Sequence, residues 1–282
     1  MPQCINDSTK KYTGKENTPK GRGYSASVEA EGTVMVGKDS NFYEVKNFKN
    51  GKKWIKKLID INFDNLDPDC FTDVWFPDIG KIMKTKETGR EEKFGGEIPF
   101  FIEGETWPVD SDEIPMVFFC QFKDPREKDN ILYRVFLPID NECDYMLDNH
   151  SITKIKLSED NLKKQIIIEK KIKKDQELNT IYKPYIISGW TKHTEFKQFS
   201  YIMDKYNIPI SFGKLYDEYT EHENCPSQMI KVGGTPVSTQ DEDRVQKYDL
   251  IQLTNTFFLP YGWGDCGIGH ISTDCKLEWD CC

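Results

Sequence analysis

The spacing of apolar and polar positions divides the chain into a polar start, a short run of strand signals and a denser apolar body. Residues 1–23 are polar, with Lys10, Lys11, Lys15, Lys20 and Arg22 among Gly, Pro, Asn and Thr, and read as a flexible or loop-rich arm. Thr33-Val34-Met35-Val36, Phe42-Tyr43-Glu44-Val45 and Lys53-Trp54-Ile55 are short strand candidates, and Asn50-Gly51 is a strong hairpin signal. Three such strands around Phe42 and Trp54 make a miniature sheet, which is marginal alone and must pack on something.

In the body, an apolar, acidic stretch ends in Val74-Trp75-Phe76-Pro77, and residues 81–93 form a charged connector. Residues 116–122 (Met-Val-Phe-Phe-Cys-Gln-Phe) and 131–137 (Ile-Leu-Tyr-Arg-Val-Phe-Leu) are apolar enough for buried strands. Within the Lys-rich stretch 152–175, Ile166-Ile167-Ile168 suggests a further strand. Phe196, Phe199, Ile202, Met203 and Tyr206 follow helical spacing, with Pro209 as a stop, and Leu215, Tyr216 and Tyr219 suggest a second short helix.

The second half echoes the first. Val232-Gly233-Gly234-Thr235-Pro236 matches Phe94-Gly95-Gly96-Glu97-Ile98-Pro99, one residue shorter before the proline, and Leu250-Ile251-Gln252-Leu253 matches Phe119-Cys120-Gln121-Phe122. A doubled unit of this kind reads as a duplication. The expected fold is therefore β-rich α+β: an internally duplicated two-sheet domain over residues 58–282, with helices near 195–222 between the copies. Residues 1–57 would form a basic arm and small β module. Paired glycines permit positive φ or close backbone approach. A Gln on a buried strand must hydrogen-bond internally, so Gln121 and Gln252 read first as ties between turn and sheet, and second as residues lining a central cleft.

Charge sharpens this division. The net charge is −9, yet residues 1–57 carry twelve Lys/Arg against six Asp/Glu, so the remainder stands at −15. Any nucleic-acid contact would fall to the basic residues 1–57, since an acidic body repels phosphate. The aromatic share of 13% excludes global disorder. No apolar run reaches membrane-spanning length, and no secretory signal is expected from the opening residues. Nine cysteines, an odd number without disulfide-scaffold density, then read as reduced thiols in a cytoplasmic setting.

The candidate chemistry is sparse. Neither Gly-Gly pair is followed by Gly-Lys-Ser/Thr, so neither is a phosphate loop. Cys266, His270, Cys275, Cys281 and Cys282 are zinc-ligand types, but no Cys-x-x-Cys knuckle is present, and reduced structural thiols are the plainer reading. No metal and no cofactor is assigned. Cys266, His270 and Asp265 would have to converge in a pocket for a catalytic reading.

In combination, Phe94-Gly95-Gly96-x-x-Pro99, Trp107-Pro108, the Phe-Phe-x-Gln strand, Val232-Gly233-Gly234-x-Pro236 and Trp263-Gly264-Asp265-x-Gly267 resemble the YwqG-like family of uncharacterised proteins, over roughly residues 60–282. That family is similar to programmed cell death protein 2 and its yeast ribosome-biogenesis counterpart. The resemblance implies protein binding of an adaptor or chaperone-like kind, toward an unknown, ribosomal or viral partner. It places the binding or structural motif at Gly95, Gly96, Gln121, Gly233, Gly234, Gln252, Trp263 and Asp265, and supplies no catalytic residue. Gly32-x-x-Met35-x-Gly37-Lys38-Asp39-x-Asn41 with Gly51-x-x-Trp54 is similar to short adaptor-like modules of large DNA viruses, which implies a viral chain in a host cytoplasm. The alternative is an enzyme of unknown class using the cleft between the two copies.

Overall fold

The computed structural model describes residues 1–57, 61–82, 86–138, 150–168, 184–208, 213–240, 245–254 and 267–280. The chain divides into two compact units, Met1–Phe71 with Phe196–Cys225, and Thr72–Glu195 with Pro226–Cys282. The first unit thus extends past residue 57 and takes in a distant helical segment.

In the first unit, β1 (Val34–Val36), β2 (Phe42–Phe48) and β3 (Gly51–Lys56) form an antiparallel sheet in that order. Gly51, at φ +102°, makes the β2–β3 turn that Asn50-Gly51 signals. Tyr43, Val45 and Trp54 alternate onto one face and bury there with Ala26, and the Trp54 indole N–H donates to the Tyr24 carbonyl at 2.9 Å. The polar start is loop-rich yet tied down: Cys4 is buried, and the Asn6 side chain accepts from Ser25 N and donates to Ser25 O.

The second unit is built on one ten-stranded sheet. Its strands are β4 (Phe71–Ile82), β5 (Lys93–Phe94), β7 (Val117–Lys123), β8 (Ile131–Leu137), β9 (Ser151–Lys156), β11 (Tyr185–Phe196), β12 (Lys231–Gly233), β13 (Ile251–Thr254), β14 (Ile268–Ile271) and β15 (Leu277–Asp280). Beside it, β6 (Phe101–Ile102) pairs with β10 (Gln165–Ile166), and α1 (Glu159–Lys163) is capped by the Ser158 side chain. The sheet order is β15-β14-β13-β12-β4-β11-β5-β7-β8-β9. The β-rich α+β character is as the sequence predicts. The two copies, however, are the two ends of one continuous sheet rather than two separate sheets.

The order also shows an exchange. In the chain, β4 precedes the first copy and β11 the second, yet β4 lies beside β12 and β11 beside β5. The central strands are cross-linked by Ser188 Oγ donating to Asp78 O and Thr191 Oγ1 to Asp78 Oδ1, each at 2.8 Å. One buried cluster draws Phe119, Phe122, Tyr133 and Val135 from the first copy and Val232, Ile251, Leu253 and Ile271 from the second. The opposite face of the first copy is covered by residues 97–116 and α1, through Phe100, Phe101, Met116, Phe118, Leu132, Phe136 and Ile155.

Besides β4, which the sequence shows only as an apolar, acidic stretch, two strands were not foreseen. β11 carries Gly189 and four exposed positions in a row, Thr191–Thr194, which hide its strand pattern. β9 holds only Ile152 and Ile155, three positions apart among Ser, Thr and Lys, and so shows no alternation over its six residues. The expected Ile166–Ile168 strand reduces to the two residues of β10.

The helices α2 (Phe199–Lys205) and α3 (Lys214–Glu221) complete the first unit and match the two predicted helices, except that Phe196 ends β11 instead of opening α2. Their core joins Phe63, Cys70, Phe196, Phe199, Ile202, Met203 and Tyr219, with Phe42 of β2 packed against it. Phe196 is fully buried, with ring centroids of Phe71, Phe63 and Tyr219 at 5.3, 5.7 and 5.5 Å. Phe196→Ala removes the ring shared by all three and is expected to cost about 3–5 kcal/mol in urea denaturation. A loss below about 1 kcal/mol would show that this core does not hold the unit together.

Candidate functional site

The doubled motif is a pair of internal ties. In the first copy Lys93 on β5 is directly opposite Gln121 on β7, and in the second Lys231 on β12 is opposite Gln252 on β13. Both lysines are fully buried. Lys93 Nζ donates to Glu87 Oε2 at 2.5 Å and to Ile98 O at 2.7 Å, and Lys231 Nζ donates to Glu195 Oε1 at 2.6 Å and to Thr235 O at 2.7 Å. The acceptor carbonyl in each case belongs to the residue before the proline.

The glutamines complete the same pattern. Gln121 Oε1 accepts from Phe100 N at 2.9 Å, and its Nε2 donates to Gly89 O and Glu91 O. Gln252 Oε1 accepts from Val237 N at 2.9 Å, and its Nε2 donates to Ser227 O and Met229 O. Each amide therefore fixes both the approach to the Gly-Gly strand and the exit from its turn.

The glycines are required by this geometry. All four have positive φ: Gly95 +67°, Gly96 +94°, Gly233 +66° and Gly234 +74°. A Cβ on Gly96 would press on the Glu87 carboxylate, and one on Gly234 on that of Glu195. Those carboxylates also accept backbone N–H groups, from Glu97 and Ile98 in the first copy and from Ser227 and Thr235 in the second.

Sequence reasoning reached the glycines and glutamines but missed the lysines and their acids. The signal for the lysines was present, since Lys-x-Gly-Gly occurs in both copies. The acids were hidden by distance, because Glu87 precedes Lys93 by six residues and Glu195 precedes Lys231 by thirty-six. Removing the thirty residues Phe196–Cys225, the helical part of the first unit, restores the same spacing.

The copies differ at the next position out. Arg134 on β8 lies opposite Gln121, and His270 on β14 lies opposite Gln252. The Arg134 guanidinium is buried; Nη1 donates to Phe100 O at 2.6 Å, Nε to Thr153 Oγ1 at 3.0 Å, and Nη1 and Nη2 clamp Glu105 at 2.9 and 2.6 Å. Burial alone would raise the Glu105 carboxyl, but the Arg134 bonds and the Ile102 N–H outweigh it and hold the group below its ordinary value.

This pair floors a cleft of about 620 Å³ on the outer face of the first copy. Phe101, Met116 and Phe136 give it an apolar wall, Thr106, Val109 and Asp110 one rim, and His150, Ser151 and Thr153 the other. The rim loop is held by Trp107 Nε1 donating to Met116 O at 2.8 Å and by Asp110 Oδ1 accepting from Ile114 N at 2.8 Å. Trp107 packs edge-on against Phe136 at 5.5 Å. Gly95, Gly96, Gln121, Gly233, Gly234 and Gln252 do not line this cleft. Trp263, Asp265, Cys266 and Cys281 lie outside the described residues.

His270 is fully buried, and among the described residues neither ring nitrogen makes a hydrogen bond of normal geometry, nor do the buried Asp280 Oδ1 and Thr239 Oγ1. Burial, aided by the charge of Lys231, pushes the imidazole down to about 4, against the upward pull of Asp280 and the Val237 backbone. Cys275 sits in the β14–β15 turn at φ +65°. Among the described residues, no three His, Cys, Asp or Glu side chains gather as a metal site, and no helix is long and apolar enough to cross a membrane. No family model and no curated protein matches the sequence.

Two outcomes follow from these geometries. Lys231→Met leaves the Glu195 carboxylate buried without its cation and is expected to cost about 3–5 kcal/mol by chemical denaturation. Lys93→Met costs less, because the Glu87 side chain keeps 12% exposure against 4% for Glu195. Equal losses would contradict this account. For His270, the folded value lies below the unfolded value of about 6.5, so between these values the unfolded chain binds more protons. Its contribution is present above about pH 6.5 and is lost as pH falls through about 4, a total of about 3 kcal/mol. His270→Gln should flatten the decline of melting temperature across that window, and an unchanged decline would remove His270 as its source.

Proposed function

We propose that this chain is a protein-binding adaptor or chaperone-like module, and that the cleft on the first copy seats a segment of its partner. The observation that carries this reading is the cleft itself, an apolar wall with a polar rim above a buried Arg134 guanidinium that clamps the half-buried Glu105 carboxylate. Such a site is rigid before binding, and rigid sites lose little entropy when occupied. The doubled Lys–Glu–Gln groups are consumed by internal bonds, so they support the platform instead of reacting with anything. The resemblance to YwqG-like proteins, with its implied protein binding and its ribosomal or viral partner, points the same way. The setting we infer is the cytoplasm of a host cell infected by a large DNA virus.

The cleft reading is tested with a peptide library displayed on phage and selected on the purified protein. Enriched peptides should compete with one another, and Val109→Arg, at an exposed rim position, should weaken them by about tenfold or more, equivalent to about 1.4 kcal/mol. Selected peptides that bind Val109→Arg and Thr106→Trp as well as the parent would place recognition elsewhere and sink the proposal.

A further inference from the structure

A second surface lies in the first unit and is independent of the cleft. Six of the twelve Lys/Arg in residues 1–57 fall in the segment 46–57, which contains no acidic residue. That segment is the turn-side part of the β2–β3 hairpin, and Glu44 lies in the remaining part of β2. The inner face of the hairpin is committed to the core through Tyr43, Val45 and Trp54. The register puts Lys46 directly opposite Lys53 on the outer face, with Phe48 beside them at the turn end and Ile55 opposite Glu44 on the other side.

Two observations point to a ligand for this face. Like charges directly opposite on a sheet repel, and Lys46 and Lys53 form such a pair, which a bound polyanion would relieve. Glu44 reaches Lys46 at 2.9 Å and Glu31 Oε1 accepts from Asn47 N, so two carboxylates stand beside a segment with six lysines. The Phe48 ring is 46% exposed, with Lys53 Nζ 5.8 Å from its centroid. An exposed aromatic ring flanked by cations is the platform on which unpaired bases stack while lysines meet the phosphates.

We propose that the outer face of the β2–β3 hairpin binds single-stranded nucleic acid, with Phe48 stacking on a base and Lys46 and Lys53 contacting phosphates. A duplex hides its base faces and gives Phe48 nothing to stack on. An anionic membrane rewards inserted apolar area, and this face offers only Phe48 and Ile55, the latter 39% exposed. The net negative charge of the whole chain does not forbid the contact, because at physiological salt charges beyond roughly 8 Å are screened.

The test uses the full chain and a fluorescent oligo(dT) or oligo(U) of about twenty nucleotides, followed by anisotropy across a salt series from about 50 to 200 mM. Binding that weakens steadily with salt is expected. Lys46→Glu with Lys53→Glu should abolish it, and Phe48→Ala should weaken it about tenfold without changing the salt slope. All three side chains face outward, so the thermal transition should be unchanged; Lys46→Gln with Lys53→Gln replaces the reversal if it is not, with loss of binding again expected. The proposal is overturned if no oligonucleotide binds, if the charge variants bind like the parent, or if a duplex of equal length binds more tightly. Capture by phosphatidylserine vesicles without oligonucleotide binding would assign the face to membranes and overturn it equally.

Discussion

A lysine ammonium taken out of water costs several kcal/mol unless a carboxylate and further acceptors meet it, and this chain does so twice, at Lys93 and Lys231. The constraint reaches well beyond the ion pair. The acid must lie against the turn, so the second glycine of each pair has no room for a side chain. The turn must curl back to offer a carbonyl, so both glycines take positive φ. The glutamine opposite must then hold the strand entry and the turn exit at once. Each half of the large sheet is organised around one such knot, and the shared apolar cluster closes between them.

The same constraint accounts for where the chain tolerates an insertion. Phe196–Cys225 enters between Glu195 and Lys231, two residues joined directly by the ion pair. Ends held together in this way add little closure entropy when the loop between them lengthens, since that cost grows only with the logarithm of length. The inserted residues then build α2 and α3 and share a core with Phe42 and Phe63. A division of the sequence at residue 57 does not anticipate that sharing, because the partner segment lies more than a hundred residues away.

What was legible in the sequence follows the same physics. Short-range signals worked: Asn50-Gly51 gave its hairpin, the apolar run ending in Gln121-Phe122 gave β7, and Leu215, Tyr216 and Tyr219 gave α3. The repeat was visible because glycine and glutamine are demanded at fixed places in both copies. Glu195 was not, since its role depends on a lysine across an insertion. β11 was not, since a strand with exposed charged positions carries no alternating apolar pattern until its neighbours β4 and β5 are known. The cleft was equally hidden, for its wall joins residues near 101, 116 and 136 with a rim contributed by β9.

The two copies keep the knot and diverge one position beyond it, and that contrast argues for where function lies. Arg134 and His270 occupy matching register, each opposite the tying glutamine. In the first copy the long guanidinium reaches outward, draws Glu105 into a clamp and leaves a walled cleft open to solvent. In the second the shorter imidazole stays buried beside Asp280, and among the described residues its ring nitrogens and Asp280 Oδ1 lack hydrogen bonds of normal geometry. Were both positions purely structural, the copy with satisfied bonds would have no reason to hold an open cavity of this size over a well-packed aromatic wall. The knot ties the turn to the sheet in both halves, and in the function proposed for the cleft the arginine would turn one of them into a surface for a partner.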